Sequence, residues 1–259
     1  DEQSAYAALN AGADAVYLGL TRFSARESAE NFSLSALERV ARFAHIRGAK
    51  VYVALNTLVK EEETGAFFHA AREAYNAGAD AILLQDIFLG RALKDAYPEL
   101  TLHLSTQAGC CNVHGAEVAK EYGFSRAVLA RETPAEDIAA ISAVIETEAF
   151  IQGALCTCFS GQCYLSSFAG GNSGNRGRCK QPCRKKYSFD RPGFEKFAYA
   201  LSPADLSVGK SLFRLKEAGV SSFKIEGRMR RPEYVAAAVR YYRGILDGAD
   251  ERELSLRLS

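Results

Sequence analysis

NAGADAVYLGL at Asn10 to Leu20 returns almost unchanged as NAGADAILLQD at Asn76 to Asp86. Each reads as a helix end, a glycine, a short polar step and an apolar strand. The same order recurs in YGFSRAVLARE (Tyr122 to Glu132) and EAGVSSFKIEG (Glu217 to Gly227). Gly12, Gly78, Gly123 and Gly219 stand where a helix terminates in the left-handed region, which a residue without Cβ enters at no steric cost. Between the repeats lie KVYVALN from Lys50, LTLHLS from Leu100 and EAFIQ from Glu148, three short runs of strand character. Their near-continuous apolar content suits parallel strands covered by helices.

These runs make seven strands, and the opening DEQSAYAALNAG reads as the helix of a βα unit whose strand precedes Asp1. Restoring it makes eight and predicts an α/β fold, a (β/α)8 TIM-like barrel lacking its first strand in this chain. One connection departs from the pattern. The strand at Glu148, seventh in barrel order, is followed by a cysteine-rich and basic insert, residues 154–200, and loops of that length usually carry function. Residues 1–259 are expected to form one barrel domain, a fragment at both ends. The tail ILDGADERELSLRLS after Arg243 reads as a last helix leading toward a further domain.

With 48% hydrophobic and 24% charged residues in 259, the chain can bury a large core. No apolar run reaches the length of a membrane span and no signal peptide is evident, so a cytoplasmic location is expected. A net charge of +1 argues against a generally basic nucleic-acid binder. Locally the balance differs, because Arg176, Arg178, Lys180, Arg184, Lys185, Lys186 and Arg191 are opposed only by Asp190. Such a run is either a solvated loop or a track for phosphates.

Five of the seven cysteines lie between Phe150 and Tyr187. Cys156, Cys163, Cys179 and Cys183 form two pairs, C-x6-C and C-x3-C, around a loop of Gly, Ser and Asn. Soft thiolates in that number suit an iron-sulfur cluster or zinc, and the wider first gap is less like a zinc knuckle. Buried apolar thiols and a disulfide framework are the alternatives; the polar surroundings and the odd thiol count weigh against them. Cys158 is spare, and Cys110 and Cys111 read as small apolar fillers or extra redox thiols.

In a barrel, reactive groups gather at the carboxyl ends of the strands. Those ends carry Asn56, Gln85, Asp86, Ser105 to Gln107, Arg131, Glu132, Gln152, Lys224, Glu226 and Arg228. Arg131, Glu132, Lys224, Glu226 and Arg228 are the candidate catalytic residues, a set fit for a small anionic ligand or else for rim salt bridges. The chain has no H-E-x-x-H and no G-x-S-x-G, but a nucleophilic pair of Cys156 with His103 or His114 stays open.

The stretch from Glu148 to Ser166, followed by GNSGNRGRCKQPCRKKY, resembles the signature of peptidase family U-32, the collagenase-like proteases. GADAVYLGL, ALNTL, HLSTQ, FSRAVLARE, LSPADL and FKIEGRMRRPEYV extend the resemblance along nearly the whole chain, although Gly109-Cys110-Cys111 after HLSTQ departs from it. The RGRCKQPC ending is most similar to the bacterial RNA hydroxylases of the family, which hydroxylate a pyrimidine of rRNA or tRNA. The resemblance implies a 4Fe-4S cluster on the four paired cysteines, as in relatives of anaerobic ubiquinone biosynthesis, and prephenate as cosubstrate. It also implies RNA as partner, along Arg176, Arg178, Lys180, Arg184, Lys185 and Lys186; the nearby Tyr164, Phe168 and Tyr187 are open to either of two roles, stacking on an unpaired base or packing the loop. A peptidase and a non-enzymatic zinc or RNA-binding module are the competing functions.

Overall fold

The computed structural model describes residues 1–26, 29–188 and 199–249. Asp190 and Arg191 of the basic run, and residues 250–259 of the tail, lie outside the described residues. The elements run α1 (Glu2–Asn10), β1 (Ala15–Gly19), α2 (Leu34–His45), β2 (Lys50–Leu55), α3 (Thr64–Asn76), β3 (Ala81–Leu84), α4 (Ile87–Ala96) and β4 (Leu102–Leu104). There follow α5 (Val113–Glu121), β5 (Arg126–Val128), α6 (Ala135–Ser142), β6 (Glu146–Gly153), α7 (Leu165–Gly170), β7 (Leu206–Ser207), α8 (Leu212–Glu217), β8 (Ser222–Ile225) and α9 (Pro232–Leu246).

The four repeat glycines follow α1, α3, α5 and α8 with φ of +98°, +96°, +90° and +91°, the helix-ending conformation expected of them. The other ends of the helices are also written locally. Asp1, Ser33, Asp86 and Asn112 each accept a backbone N–H of the first turn of α1, α2, α4 and α5.

Strands β1 to β6 pair in sequence order, all parallel, and β8 joins parallel to β6. The result is the expected TIM-like arrangement, open along one seam: among the described residues β1 and β8 are not paired with each other. A cavity of about 870 Å³ lies there, lined on the sheet side by Tyr17, Lys224 and Ile225 and on the helix side by Ala5 and Val239. α1 and α9 pack together outside it, joined by Arg243 to the Gly12 carbonyl and the Asp14 carboxylate. Two features depart from the sequence reading. β7, drawn from LSPADL, pairs antiparallel with the end of β6. The last helix of the described residues begins at Pro232, where the fixed φ of proline suits a first turn, and its last turn, to Leu246, reaches into the tail after Arg243, most of which lies outside the described residues.

The strands bury both faces. Val51, Val53 and Leu55 of β2 point to the helices, with Leu37, Val40, Ile82 and Leu84, while Tyr52 and Ala54 point inward, with Leu83 and Val128. The interior is not wholly apolar. Glu148 accepts from Lys224 Nζ at 2.5 Å and from Ser222 Oγ at 2.8 Å, with Arg126 at 3.5 Å. Burial pushes the Glu148 carboxyl up, but Lys224 and Ser222 outweigh it and hold the group below its ordinary value. Glu148→Ala would strand the Lys224 ammonium in the interior and is expected to cost about 3–5 kcal/mol, whereas Glu148→Leu with Lys224→Met should recover most of that loss. Denaturant unfolding of the single and double variants measures both.

His103 on β4 packs edge-on against Tyr52 with ring centres 4.9 Å apart. Burial first, and then the positive charge of Arg126, push its pKa down from 6.5 to about 3. The folded chain thus holds His103 neutral while the unfolded chain protonates it. Stability is complete above about pH 6.5 and is lost as pH falls toward 3. His103→Phe is expected to flatten that part of the stability-against-pH curve, measured by thermal melting across the same range.

Candidate active site

Because the long strands run one way, their carboxyl ends share a rim, and the polar residues of that rim divide into two groups. The first lines the mouth. The Arg131 guanidinium lies over the Phe150 ring at 4.3 Å, and Lys224 lies over Tyr17 at 3.9 Å and near Phe150 at 5.9 Å. Arg228 donates from Nη2 to Ser24 Oγ at 2.8 Å and Asn31 Oδ1 at 3.3 Å, and its backbone N–H reaches Glu226 Oε1 at 3.2 Å. Burial lowers the pKa of Arg228; burial, and then the negative charge of Glu226, raise that of Tyr17.

Arg131–Glu132 and Glu226–Arg228 are not ion pairs, although either was open on sequence; among the described residues no ion pair joins Arg131 or Arg228 to a carboxylate. Tyr17 Oη, Gln85 Oε1 and Arg131 Nε are buried without a hydrogen-bond partner among the described residues. Two guanidiniums lacking carboxylates, beside unsatisfied buried polar atoms, suit an anionic ligand that brings its own acceptors. Lys224 is different. Its ammonium is committed to Glu148, so it builds the floor of the mouth.

The second group anchors the cysteine insert. Glu132 accepts the Ser160 N–H at 2.8 Å and the Ser160 hydroxyl at 2.9 Å, and the Arg131 N–H reaches Ser160 Oγ at 3.2 Å. Ser160 is buried, with Thr106 Oγ1 at 3.5 Å. Next to it, Gly161 has φ +74° and lies so close to the Gln107 backbone that a Cβ would meet its carbonyl oxygen at 1.8 Å. Only glycine fits there. Farther along, Arg176 grips Glu63 through two bonds of 2.8 and 2.9 Å and the Leu58 carbonyl at 3.0 Å. The Arg176 contacts, followed by the Lys60 N–H, bring the Glu63 pKa down to about 2. Arg184 donates to the Leu155 and Pro203 carbonyls at 2.6 and 2.8 Å and to Ser202 Oγ at 2.6 Å.

The thiols converge inside this frame. Gly174 lies between the Cys163 carbonyl oxygen and the Cys179 Cβ, each 3.6 Å from where a Cβ on the glycine would be, which brings the backbones of the two cysteine pairs close together. Burial, and then neighbouring thiols, raise the pKa of Cys163 (Cys158 and Cys156) and of Cys183 (Cys179, Cys156 and Cys163), with Arg184 opposing at Cys183. All seven cysteines are free. Among the described residues no three His, Cys, Asp or Glu side chains stand at metal-binding geometry. In kind and neighbourhood the four paired cysteines fit a cluster, whose positive iron would offset the mutual repulsion of their thiolates. Cys158, spare by spacing, is beside Cys163, and Cys110 is an apolar filler against the core whose pKa burial raises to about 11.

Of the six basic candidates, Arg176 and Arg184 bind carboxylate, carbonyl and hydroxyl acceptors of the protein; Arg178, Lys180, Lys185 and Lys186 are exposed at the surface, Lys186 with its ammonium 5.5 Å over the Tyr199 ring. Neither histidine pairs with a cysteine among the described residues: His103 is in the barrel interior and His114 is on the surface with Glu117. Ser160, Tyr17 and Phe150 were not among the sequence candidates. The inward alternation of β1 and β6 points to Tyr17 and Phe150; nothing local marks Ser160.

Fold and site define a TIM-like barrel with a cysteine-bearing loop riveted to its carboxyl-end rim. Residues 1–257 match the model of peptidase family U32, and the chain belongs to that family. It is 40% identical over 247 residues to the "23S rRNA 5-hydroxycytidine C2501 synthase" of Escherichia coli (strain K12), covering 93% of this chain and 37% of that protein. It is 35% identical over 251 residues to "tRNA hydroxylation protein P1" of Bacillus subtilis (strain 168), covering 93% and 60%. A "Collagenase" of Porphyromonas gingivalis (strain ATCC BAA-308 / W83) is 34% identical over 266 residues, covering 95% and 63%. The chain thus spans between about a third and two thirds of these relatives' lengths. The solved U32 peptidase Mk0906 shares the fold with a TM-score of 0.50 at 15% identity, over 74% of this chain and 83% of that one.

Removing the Ser160 clamp tests how the insert is held. Glu132→Ala is expected to raise the rate at which a thiol reagent labels Cys163 by roughly 10-fold or more, with little change in melting temperature, because two hydrogen bonds to a charged acceptor are lost locally. An unchanged rate would mean that the loop is held elsewhere.

Proposed function

We propose that the chain is the barrel of an iron-sulfur-dependent enzyme that hydroxylates a pyrimidine of rRNA or tRNA in the cytoplasm, with prephenate as cosubstrate. The observation that carries this reading is the coincidence of two facts. Relatives 35–40% identical along the chain bear names of rRNA and tRNA hydroxylation proteins, and four cysteines of the rim insert share one neighbourhood. In this reading Cys156, Cys163, Cys179 and Cys183 hold a 4Fe-4S cluster, which when bound supplies one-electron chemistry beside the barrel mouth. Arg131 and Arg228 orient the carboxylates of the cosubstrate, and the Tyr17 hydroxyl and the Gln85 amide meet its polar groups. Lys180, Lys185 and Lys186 lie along RNA phosphates. Arg176 and Arg184 hold the loop in shape instead of binding RNA.

The relative named as a collagenase keeps a peptidase as the second reading. The geometry favours it less, because a nucleophilic thiol needs a basic partner and neither candidate histidine meets one among the described residues.

Anaerobic isolation, with an optical spectrum and iron and sulfide assays, tests the cluster. Cys156→Ala, Cys163→Ala, Cys179→Ala and Cys183→Ala should each abolish the absorption, and Cys110→Ala should keep it. Stoichiometric zinc without iron or sulfide would overturn this part. For the reaction, mass analysis of RNA from cells lacking the full-length gene should show one hydroxylated pyrimidine lost, restored by the native gene and not by its Cys163→Ala form. Reproducible peptide cleavage with no change in any RNA modification would leave the peptidase reading.

A further inference from the structure

α7 carries two aromatic rings that the barrel does not use. Phe168 is 90% exposed and Tyr164 56% exposed, and the Phe168 N–H donates to the Tyr164 carbonyl at 3.0 Å, which places the two rings one helical turn apart on one face. Two large rings exposed together on one turn make a contiguous apolar face, which is more informative than a single exposed side chain. The charge of a partner for this face is written around it. From Ala154 to Ser188 the chain has no Asp or Glu, while Arg178, Lys180, Lys185 and Lys186 are exposed there. Lys180 is tied to the same turn, since its N–H donates to Ser166 Oγ at 3.0 Å. Tyr164 directly follows Cys163.

We propose that Tyr164 and Phe168 form a stacking platform for unpaired bases of a single-stranded RNA segment, whose phosphates are met by Lys180, Lys185 and Lys186. Aromatic faces interleaved with cations match an unpaired strand, whereas a duplex hides its base faces and offers only phosphates. The platform selects the form of the substrate: the target pyrimidine comes from a loop or a single-stranded stretch and enters beside the cysteine insert. Tyr187 is not part of it, because its hydroxyl is spent on the Pro182 carbonyl at 2.9 Å and the ring is half-buried. This inference rests on the RNA reading above.

Equilibrium binding of a labelled pyrimidine-rich single-stranded RNA, and of the same sequence as a duplex, separates the two. The 259-residue chain should prefer the single strand. Phe168→Ala and Tyr164→Ala should each weaken single-strand binding by roughly 5- to 150-fold and leave duplex binding unchanged. Phe168→Tyr should retain it and Phe168→Leu should not, since leucine keeps the apolar contact but not the stacking face. Replacing Lys180, Lys185 and Lys186 with Ala should weaken both RNAs and flatten the salt dependence. Melting temperatures should be unchanged in all of these surface variants. Binding of RNA that ignores Phe168→Ala, or that Phe168→Leu rescues, would overturn the platform and leave the RNA reading standing. Absence of binding to either RNA would overturn both. A Phe168→Ala effect on self-association alone would assign the face to a second copy and overturn the platform.

Discussion

Parallel pairing governs this molecule. Strands that run one way must each be joined by a return segment on the outside, so their carboxyl ends open on the same rim and the connecting helices cover the outer face of the sheet. From that single constraint follow the double-sided burial of β2 and β3, the recurrence of one helix-glycine-strand phrase, and the gathering of Gln85, Ser105, Arg131 and Glu226 from distant parts of the chain. β7 runs against the direction, and it does so only as a two-residue return after the long insert.

Electrostatics divides the barrel along its axis. Lower down, the charges are compensated: Glu148 takes Lys224, Ser222 and Arg126, and His103 stays neutral. At the mouth, the guanidiniums of Arg131 and Arg228 meet rings, hydroxyls and carbonyls but no carboxylate among the described residues. A compensated interior is a structural device, since a buried charge without its partner is costly. Polar groups left unmatched at a mouth are tolerated only where a ligand or solvent completes them, and that contrast marks the mouth as the candidate site without reference to any relative.

The insert shows how a polar, glycine-rich loop acquires definite shape without a core of its own. Ser160 on Glu132, Gly161 against Gln107 and Arg176 on Glu63 attach it to three separate parts of the barrel, and Arg184 ties its beginning at Leu155 to Ser202 and Pro203 just past its end. Its thiols are thereby brought into one another's field. The same contacts set Arg176 and Arg184, which hold the loop, apart from Lys180, Lys185 and Lys186, which are exposed. Guanidinium is the group for the first task, because its fork can satisfy several fixed acceptors at once, while ammonium on a flexible stem remains well hydrated at the surface.

Seven parallel strands, their helix-ending glycines and the barrel they build were legible in the sequence, and with them the rim that carries the candidate site, because each of these depends on local periodicity and turn chemistry repeated along the chain. The paired cysteines were also legible, as spacing in a segment with little apolar surface to bury them. What a charged residue at the rim does was not. Glu132 and Lys224 carry the same signal in sequence as Arg131 and Arg228, yet the first clamps Ser160 and the second neutralises Glu148. Nor does any local rule separate Arg184 from Lys185, one turned onto the Leu155 carbonyl and the other exposed. Those assignments belong to tertiary structure alone, since a side chain's role is set by the acceptors within about 3 Å of it, and here those acceptors come from residues tens to more than a hundred positions away in the chain.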